Sequence, residues 1–481
     1  MNYVELLRLA APETTLVVTA LLVLALGLVG ARTSVICSGV AAAGLLFASS
    51  AVVRLPEHAN LFNGMLVVSP LASLFKVICL ALAFFTVIVA RQAEFKHHGE
   101  YLALLLLATV GLMLLVGSEE FLVIFIGLEL TGLSLYVMAA FDKNDVRSAE
   151  AGLKYFLFGS TASAFTLFGI SLVYGMTGTT SLAAIAPKLT VISPLLAAGL
   201  VMTLIGFAFK IAAAPFHLWA PDAYQGAPIP SAAFIASGSK VASFVVLGKI
   251  VLIGFGPAQG GAGWHAMVAG WAPLLAVLAA FSILLGNFVA LAQSNVRRLL
   301  AYSAVAHAGY TLVGLVAGGR EGFSATLFYT TIYAFTLVGA FAVVAFVRRE
   351  TGGDDFTHFK GLAARSPWLA GCMTVFMLSL AGIPPLAGFF GKFFLFNAAL
   401  RAQGNFGLLW LVALALFGSL ISFYYYLMIL KAIFVDKAEP ATGSAPMDIL
   451  QRASIGLLAG IVLFLGVFPG GLVEKITAAL P

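Results

Sequence analysis

Charged residues are scarce in this chain of 481 residues. Asp, Glu, Lys and Arg make up 10% of it, hydrophobic residues make up 61%, and the mean hydropathy is +1.05. Soluble domains carry about 25% charged residues. No polar stretch is long enough to separate soluble domains, so we predict one membrane domain spanning residues 1–481. The net charge of +6 then reflects membrane topology, and we expect no nucleic-acid partner.

Cysteine is also rare, and its placement excludes several cofactors. The three residues Cys37, Cys79 and Cys372 lie in apolar runs without CxxC spacing, so neither a disulfide nor an iron–sulfur cluster is indicated. There is no GxGxxG before a helix and no pair of intramembrane histidines spaced for haem. We therefore predict no redox cofactor and no metal in this chain.

What the sequence does contain is a series of apolar segments of about 20 residues, the length that a bilayer core of about 30 Å requires. We predict an all-α polytopic membrane protein with about fourteen transmembrane helices. The segments lie near residues 11–31, 33–53, 69–90, 101–117, 120–140, 150–176, 192–214, 228–252, 266–291, 295–317, 322–347, 368–400, 406–434 and 450–473.

Basic residues are distributed unevenly between alternate loops. Roughly fifteen, Arg297 among them, fall on one side and about seven, Lys249 among them, on the other. Because cytoplasmic loops carry the excess of Lys and Arg, we predict that the first side faces the cytoplasm. Both termini would then be periplasmic.

A few charges remain inside the predicted spans: Lys76, Lys210, Lys240, Lys392 and Glu129. Each opposes insertion by roughly 2.5–3.5 kcal/mol at mid-depth, so each needs a partner or a function. Lys76 lies near a span end, where snorkelling to the interface is the simpler interpretation. For Lys210, Lys240 and Lys392 the irregular or small-residue surroundings favour a functional role.

Prolines interrupt two of the spans. Pro215 breaks the seventh span, and Pro384 with Pro385 breaks the twelfth. Each proline frees a carbonyl that lipid cannot satisfy, so protein or enclosed water must do so. Lys210 precedes the first break and Lys392 follows the second, so either ammonium group is expected near freed backbone.

The two breaks are five spans apart, which suggests an internal repeat. Units of five helices enter the membrane from opposite faces, so we predict that spans 4–8 and 9–13 form an inverted pair. The corresponding boundaries are 1–100 for spans 1–3, 101–252 for the first repeat, 264–434 for the second and 450–473 for span 14. Two half-channels meeting at the centre would follow.

Lysine suits proton transfer because burial lowers its pKa from about 10.4, whereas a nearby carboxylate reverses that shift. Glu129 and Lys210 are candidates for a switchable pair. His307, in "AYSAVAHAGY", is a candidate relay between lysines, the alternative being a polar residue that fills a cavity. We add His217 as a further candidate.

Three segments carry a family resemblance. "AAPFHLWAPDAYQGAPIP" (213–230), "SLAGIPPLAGFFGKFFLF" (379–396) and "RRLLAYSAVAHAGY" (297–310) resemble signatures of NADH-quinone oxidoreductase subunit N, the antiporter-like membrane subunit of respiratory complex I. The resemblance covers essentially the whole chain. Length and span number resemble those of bacterial members.

The resemblance implies fourteen helices, the same inverted repeats and one proton pathway in a bacterial inner-membrane subunit. Its proton-translocating residues match Glu129 paired with Lys210, then Lys240, Lys392 and Lys154. Subunit M has glutamate at the twelfth-span position, so Lys392 favours subunit N. The family places NADH, FMN, iron–sulfur clusters and quinone in other subunits, and it implies membrane lipids and the membrane subunits M and K as partners.

Two other functions stay open from the residues. A subunit of a multisubunit cation/proton antiporter would share the "PFHxWxPDA" core, and the twelfth-span signature is the feature that discriminates against it. A membrane-bound lipid or glycan transferase would use Glu129 or Asp222 as a base, but the predicted loops are mostly too short to form a substrate site.

Overall fold

The computed structural model describes residues 3–29, 34–91, 93, 95–189, 193–402, 407–437 and 447–480. Within these ranges the chain is almost entirely helical. The α-helices are α1 (Tyr3–Leu9), α2 (Ala11–Val29), α3 (Ser34–Val53), α4 (Pro70–Ala90), α5 (His98–Gly117), α6 (Phe121–Ala139), α7 (Val146–Thr177), α8 (Leu182–Ile185), α9 (Pro194–Lys210), α10 (Trp219–Gly226), α11 (Ile229–Ala236), α12 (Gly238–Lys249), α13 (Trp271–Leu291), α14 (Val296–Ala317), α15 (Gly319–Thr351), α16 (Phe356–Phe359), α17 (Leu362–Arg365), α18 (Pro367–Ala381), α19 (Ala387–Arg401), α20 (Leu409–Phe434), α21 (Ile449–Val467) and α22 (Gly470–Ala479).

In the described ranges, twelve helical stretches are long and apolar enough to cross a membrane. One of them, Ile229–Gly254, joins α11, α12 and a π-helical turn at Ile250–Gly254. The predicted twelfth span is divided into α18 and α19. The predicted seventh span, 192–214, corresponds to α9, and α10 follows the break beyond those bounds. The all-α polytopic fold is confirmed, and fourteen spans are reached only if α9 counts as one span and α18 with α19 as another.

Local sequence explains where several helices begin and end. In the described structure, side chains that accept hydrogen bonds from free backbone amides cap five helices: Ser69 at α4, Glu120 at α6, Asp145 at α7, Ser193 at α9 and Asn295 at α14. A glycine in the left-handed conformation, Gly178, ends the long helix α7 (φ +66°).

Two small antiparallel hairpins lie in the connections outside the helices. Strand β1 (Ala59–Leu61) pairs with β2 (Leu66–Val68), and β3 (Gly261–Gly263) pairs with β4 (Ala266–Val268). Each hairpin satisfies backbone groups in a connection between spans, which leaves the membrane-crossing segments helical.

Burial separates a central group of helices from a peripheral one. Helices α5, α11, α12, α14 and α15 are mostly buried, whereas α2, α3, α7 and α21 present much of their apolar surface outward. Helix α14 packs against α13, α15 and α19, and α11 packs against α15 and α4. The buried lysines therefore lie in the middle of the bundle and not on its lipid-facing surface.

Both predicted helix breaks are present. Helix α9 ends at Lys210 and the next helix starts at Trp219, so the first interruption begins directly after the lysine. Helix α18 ends at Ala381, and Gly382 (φ +87°) turns the chain in a conformation that favours glycine. At the second break the carbonyl of Ala381 accepts a hydrogen bond from Lys392 Nζ.

Candidate functional site

Lys210 is 7% exposed at the last position of α9. Its Nζ lies 3.4 Å from the Tyr136 hydroxyl and 5.4 Å from the centroid of that ring. Gly132 lies beside it, and a Cβ atom there would stand 2.9 Å from Nζ. The ammonium group therefore rests on α6, where a glycine leaves the necessary space.

Glu129 and Lys210, the candidates for a switchable pair, have different hydrogen-bond partners in this structure. Glu129 lies one helical turn before Gly132 on α6, and its carboxylate accepts a hydrogen bond from the Ser163 hydroxyl of α7. Both residues are among those described, and they form no ion pair within 4.0 Å. The reason is that Lys210 is held at Tyr136, further along α6.

Lys240 is 2% exposed on α12. Its Nζ donates a 2.6 Å hydrogen bond to the carbonyl of Ala304 on α14 and lies 5.4 Å from the Tyr333 ring centroid. A neutral carbonyl and a ring face are weak compensation for a buried charge. Among the described residues, this buried lysine has no carboxylate within ion-pair distance.

Lys392 is 4% exposed on α19. Its Nζ donates to the carbonyl of Ala381 at 3.1 Å and to Ser419 Oγ at 2.8 Å, and it lies 5.1 Å from the Tyr310 ring centroid. Like Lys240, it contacts no carboxylate within ion-pair distance in the described structure. The predicted proximity to freed backbone is observed here.

His307 occupies the space between these two lysines. It is 2% exposed, with Nδ1 2.7 Å from the Tyr329 hydroxyl and Nε2 3.0 Å from the Tyr426 hydroxyl. Its ring centroid lies 4.9 Å from that of Tyr333, which Lys240 contacts, and 5.6 Å from that of Tyr310, which Lys392 contacts. One tyrosine ring therefore separates the imidazole from each ammonium group.

Sequence reasoning missed these tyrosines. Tyr329 and Tyr333 are one turn apart on α15, so they present hydroxyls on one face towards α14. The hydroxyl of Tyr333 is buried and has no hydrogen-bond partner in the described structure. Buried tyrosine hydroxyls normally find a partner. The i, i+4 tyrosine pair inside an apolar span was the available signal.

Lys154 belongs to a different group of charges. Its Nζ lies 2.6 Å from Glu150 and 2.7 Å from Asp222, and Asp222 also accepts a 2.7 Å bond from Arg298. The Lys154 side chain is 38% exposed. The structure thus places it apart from the buried lysines, near the membrane face where α14 begins.

His217, in the first helix break, lies between this group and the interior. It is 4% exposed, its Nδ1 has no hydrogen-bond partner in the described structure, and its ring centroid is 6.3 Å from that of Tyr302. The same Tyr302 ring contacts Arg298, whose Cζ is 5.9 Å from its centroid. Polar side chains therefore extend from the charged group at the membrane face towards the first break.

The structure corrects the sequence predictions for two basic residues, Lys249 and Lys76. Lys249 was assigned to a loop but is 1% exposed, with Nζ 3.0 Å from the carbonyl of Val116 and 3.3 Å from Glu119. Lys76 does not snorkel, because it forms a 2.7 Å ion pair with Glu13. Both carboxylates come from segments distant in sequence, so a span-by-span analysis could not identify these pairs.

Arg297, also assigned to a loop, is 2% exposed. It forms an ion pair with Asp354, which also accepts hydrogen bonds from Asn295 and Arg348. Burial raises the pKa of Asp354, but the charges of Arg297 and Arg348 and the Asn295 bond outweigh that effect and lower it below its ordinary value. This cluster fixes the start of α14 at the membrane face.

In the part of the chain that the structure describes, no group of three or more His, Cys, Asp or Glu residues could hold a metal ion. Cys37, Cys79 and Cys372 are buried, and no disulfide joins them in the described structure. What the site offers is a row of buried amines, an imidazole and phenols. Such groups can hold and exchange protons.

Comparison with known proteins agrees with these features. A family model described as "NADH:quinone oxidoreductase/Mrp antiporter, TM" matches residues 118–422. NADH-quinone oxidoreductase subunit N 2 of Acidobacterium capsulatum is 46% identical over 487 aligned residues, covering 98% of each chain. A chain in the structure of respiratory complex I from Thermus thermophilus with bound aureothin superposes with a TM-score of 0.82 at 33% identity, covering 98% of this chain and 100% of that one.

The chain therefore belongs to the NADH-quinone oxidoreductase subunit N family of antiporter-like membrane proteins. A chain of the Mrp complex from Dietzia sp. DQ12-45-1b also superposes, with a TM-score of 0.81 but 21% identity over 98% of this chain and 96% of that one. That likeness shows a shared fold only. The family resemblance seen in the sequence is confirmed.

Proposed function

We propose that this chain is a proton-translocating membrane subunit of respiratory complex I, the H⁺-translocating NADH:quinone oxidoreductase. The observation that carries the proposal is the buried row in which His307 lies one tyrosine ring from Lys240 and one from Lys392. Family membership supports it. The row consists of titratable groups, and neither of its two lysines has a carboxylate within ion-pair distance in the described structure.

The proposed path begins at Lys154, Asp222 and Arg298, passes His217 to Lys210, and continues through Lys240 and His307 to Lys392. The lysine, histidine and aspartate groups can each accept a proton from one neighbour and pass it to the next, whereas Arg298 stays charged and holds Asp222 in an ion pair. Loss of a proton from one lysine removes the repulsion that it exerts on the next, which favours protonation there. In this scheme Glu129 is held by the Ser163 hydroxyl of α7 and acts without direct contact with Lys210.

Redox chemistry is assigned to other subunits, which would hold NADH, FMN, iron–sulfur clusters and quinone. This chain would carry no cofactor of its own. Its energy would come from movements or charges transmitted by neighbouring membrane subunits, including the antiporter-like subunit M and the small subunit K. A proton moved against 100 mV requires about 2.3 kcal/mol.

The arrangement in the membrane follows from the same proposal. Residues 101–252 and 264–434 would form the inverted repeats, with residues 1–100 and 450–473 beside them. The chain would lie in the bacterial inner membrane with both termini in the periplasm. Supporting this, each repeat contains one interrupted helix and at least one buried lysine.

The test is purification followed by reconstitution. The tagged chain should copurify with NADH:quinone oxidoreductase activity, and vesicles containing the assembly should acidify when NADH and a quinone are added. Lys240→Met should abolish most of this acidification, because methionine has a similar length but cannot carry a proton. A chain that isolates without NADH oxidation and exchanges sodium for protons would instead support the cation/proton antiporter.

A further inference from the structure

Two neighbouring cavities open where α5, α6 and α7 approach the membrane face that carries the turn between α6 and α7. The first has a volume of about 800 Å³ and the second about 660 Å³. They share three lining residues, Glu100, Phe141 and Lys143. The two cavities are therefore adjacent, and the proposed proton pathway uses neither of them.

The first cavity is polar and predominantly basic. Five basic residues line it against three acidic ones, the basic set being Lys96, Lys143, Arg297, Arg348 and Arg349. It lies at the turns that connect the helices, at the level where lipid headgroups meet a membrane protein. Basic pockets between transmembrane helices on the cytoplasmic side are suited to lipid phosphate groups.

Not all of these cations are occupied by protein carboxylates. Arg297 and Arg348 share Asp354, but Lys96 and Lys143 form no ion pair or hydrogen bond with the described residues. Both lysines lie in connections between helices, where their side chains are exposed. Two exposed ammonium groups at the rim of a cavity can both contact an anionic group.

The second cavity is apolar and runs along the bundle surface. It is lined mainly by aliphatic and aromatic side chains of α5, α6 and α7, including Leu104, Leu107, Val137 and Leu153. Val137 is 52% and Leu153 58% exposed, so the groove opens outward to the hydrocarbon. A basic chamber at the membrane face joined to an apolar groove matches a molecule with a phosphate at one end and an acyl chain at the other.

We propose that these two cavities form a binding site for one phospholipid molecule. Its phosphate lies in the basic cavity near Lys96 and Lys143, and one acyl chain lies along the apolar groove. Tyr136, whose hydroxyl contacts Lys210, is one of the residues that line the groove, so the bound chain packs against the residue that contacts this lysine. The proposal concerns binding and does not depend on the proposed proton translocation.

The experiment uses the full-length chain, isolated with its accompanying subunits and placed in nanodiscs of equal parts phosphatidylethanolamine and phosphatidylglycerol. A photo-cross-linking amino acid replaces Val137, and the sample is exchanged into detergent before irradiation, which removes bulk lipid. Mass spectrometry should find a phospholipid adduct, and its headgroup identifies which of the two lipids supplies the phosphate. The same probe at Ile126, 49% exposed on the same helix but outside the groove, should give none.

Two variants test the two parts of the site. Leu153→Trp fills the groove and Lys143→Glu reverses a charge at its junction with the basic cavity, so each should abolish the adduct. Their controls are Leu167→Trp, 46% exposed on the same helix, and Lys431→Glu, whose side chain is 56% exposed outside the cavity. Both control variants should retain it.

The proposal is overturned if the Val137 probe captures a neighbouring protein subunit, since the groove would then be a subunit contact. It is also overturned if the adduct is equally strong at Ile126, or if it survives both Leu153→Trp and Lys143→Glu. These outcomes are read from cross-links and not from activity. They leave the proposed proton translocation untouched.

Discussion

Lys392 donates a hydrogen bond to the carbonyl of Ala381, the acceptor that a regular helix would pair with the amide of residue 385. Residue 385 is a proline and has no amide hydrogen. The helix break therefore creates the acceptor that the buried ammonium group uses. The position of the Lys392 ammonium group therefore depends on the break in the helix.

Lys392→Arg should impair NADH-driven proton pumping nearly as much as Lys392→Ala, to below about a tenth of the wild-type rate, because arginine keeps the charge but cannot release its proton. Lys392→Glu, which remains titratable, should retain partial activity. Pumping is measured as NADH-driven acidification of vesicles. Full pumping by the arginine variant, with none by the alanine variant, would make Lys392 a fixed charge and contradict its role in transfer.

His307→Phe should preserve assembly and slow pumping at least about tenfold, since phenylalanine fills the space but cannot exchange a proton with Tyr329 or Tyr426. The pH dependence of pumping should also change, which a purely structural role would not produce. His265→Phe, at an exposed position in a connection, is the matched control. An unchanged rate and pH profile for His307→Phe would remove the imidazole from the path.

The sequence was sufficient for the fold class, the positions of the spans and both helix breaks, because hydropathy and proline act locally. It also identified Lys210, Lys240 and Lys392 as interior residues. It could not identify their partners, since Ala304, Ser419 and the tyrosines come from other spans. Likewise the buried state of Lys249 depends on the end of α5, more than a hundred residues earlier.

Asp354→Asn should destabilise the folded chain at neutral pH, and the difference from wild type should disappear in acid. The folded-state pKa of Asp354 is lowered by Arg297, Arg348 and Asn295, so its stabilising effect is full above the ordinary carboxyl pKa of about 4. The effect is lost as the pH falls through the lowered value. Thermal unfolding of the detergent-solubilised chain across this range measures it.

The control for this change is Asp436→Asn. The Asp436 side chain is 32% exposed, and its Oδ1 lies as far as 4.0 Å from Lys431 Nζ, so this is a weak pair. Exposed pairs of this kind contribute about 0–1 kcal/mol. This control should shift the unfolding midpoint little at any pH. An equal midpoint for Asp354→Asn and wild type at neutral pH would show that the Arg297 cluster does not stabilise the start of α14.

Lys249→Met should destabilise the chain by about 1–3 kcal/mol, because the carbonyl of Val116 would lose its buried donor and Glu119 its ion-pair partner. Glu119→Gln should cost less, since Glu119 is 29% exposed and water replaces the lost contact. Thermal inactivation of the purified assembly orders the two variants, with Lys431→Met as the exposed control. Equal destabilisation by Glu119→Gln and Lys249→Met would contradict this expectation. It would show that the ion pair with Glu119 stabilises this face more than the hydrogen bond from Lys249 to the carbonyl of Val116 does.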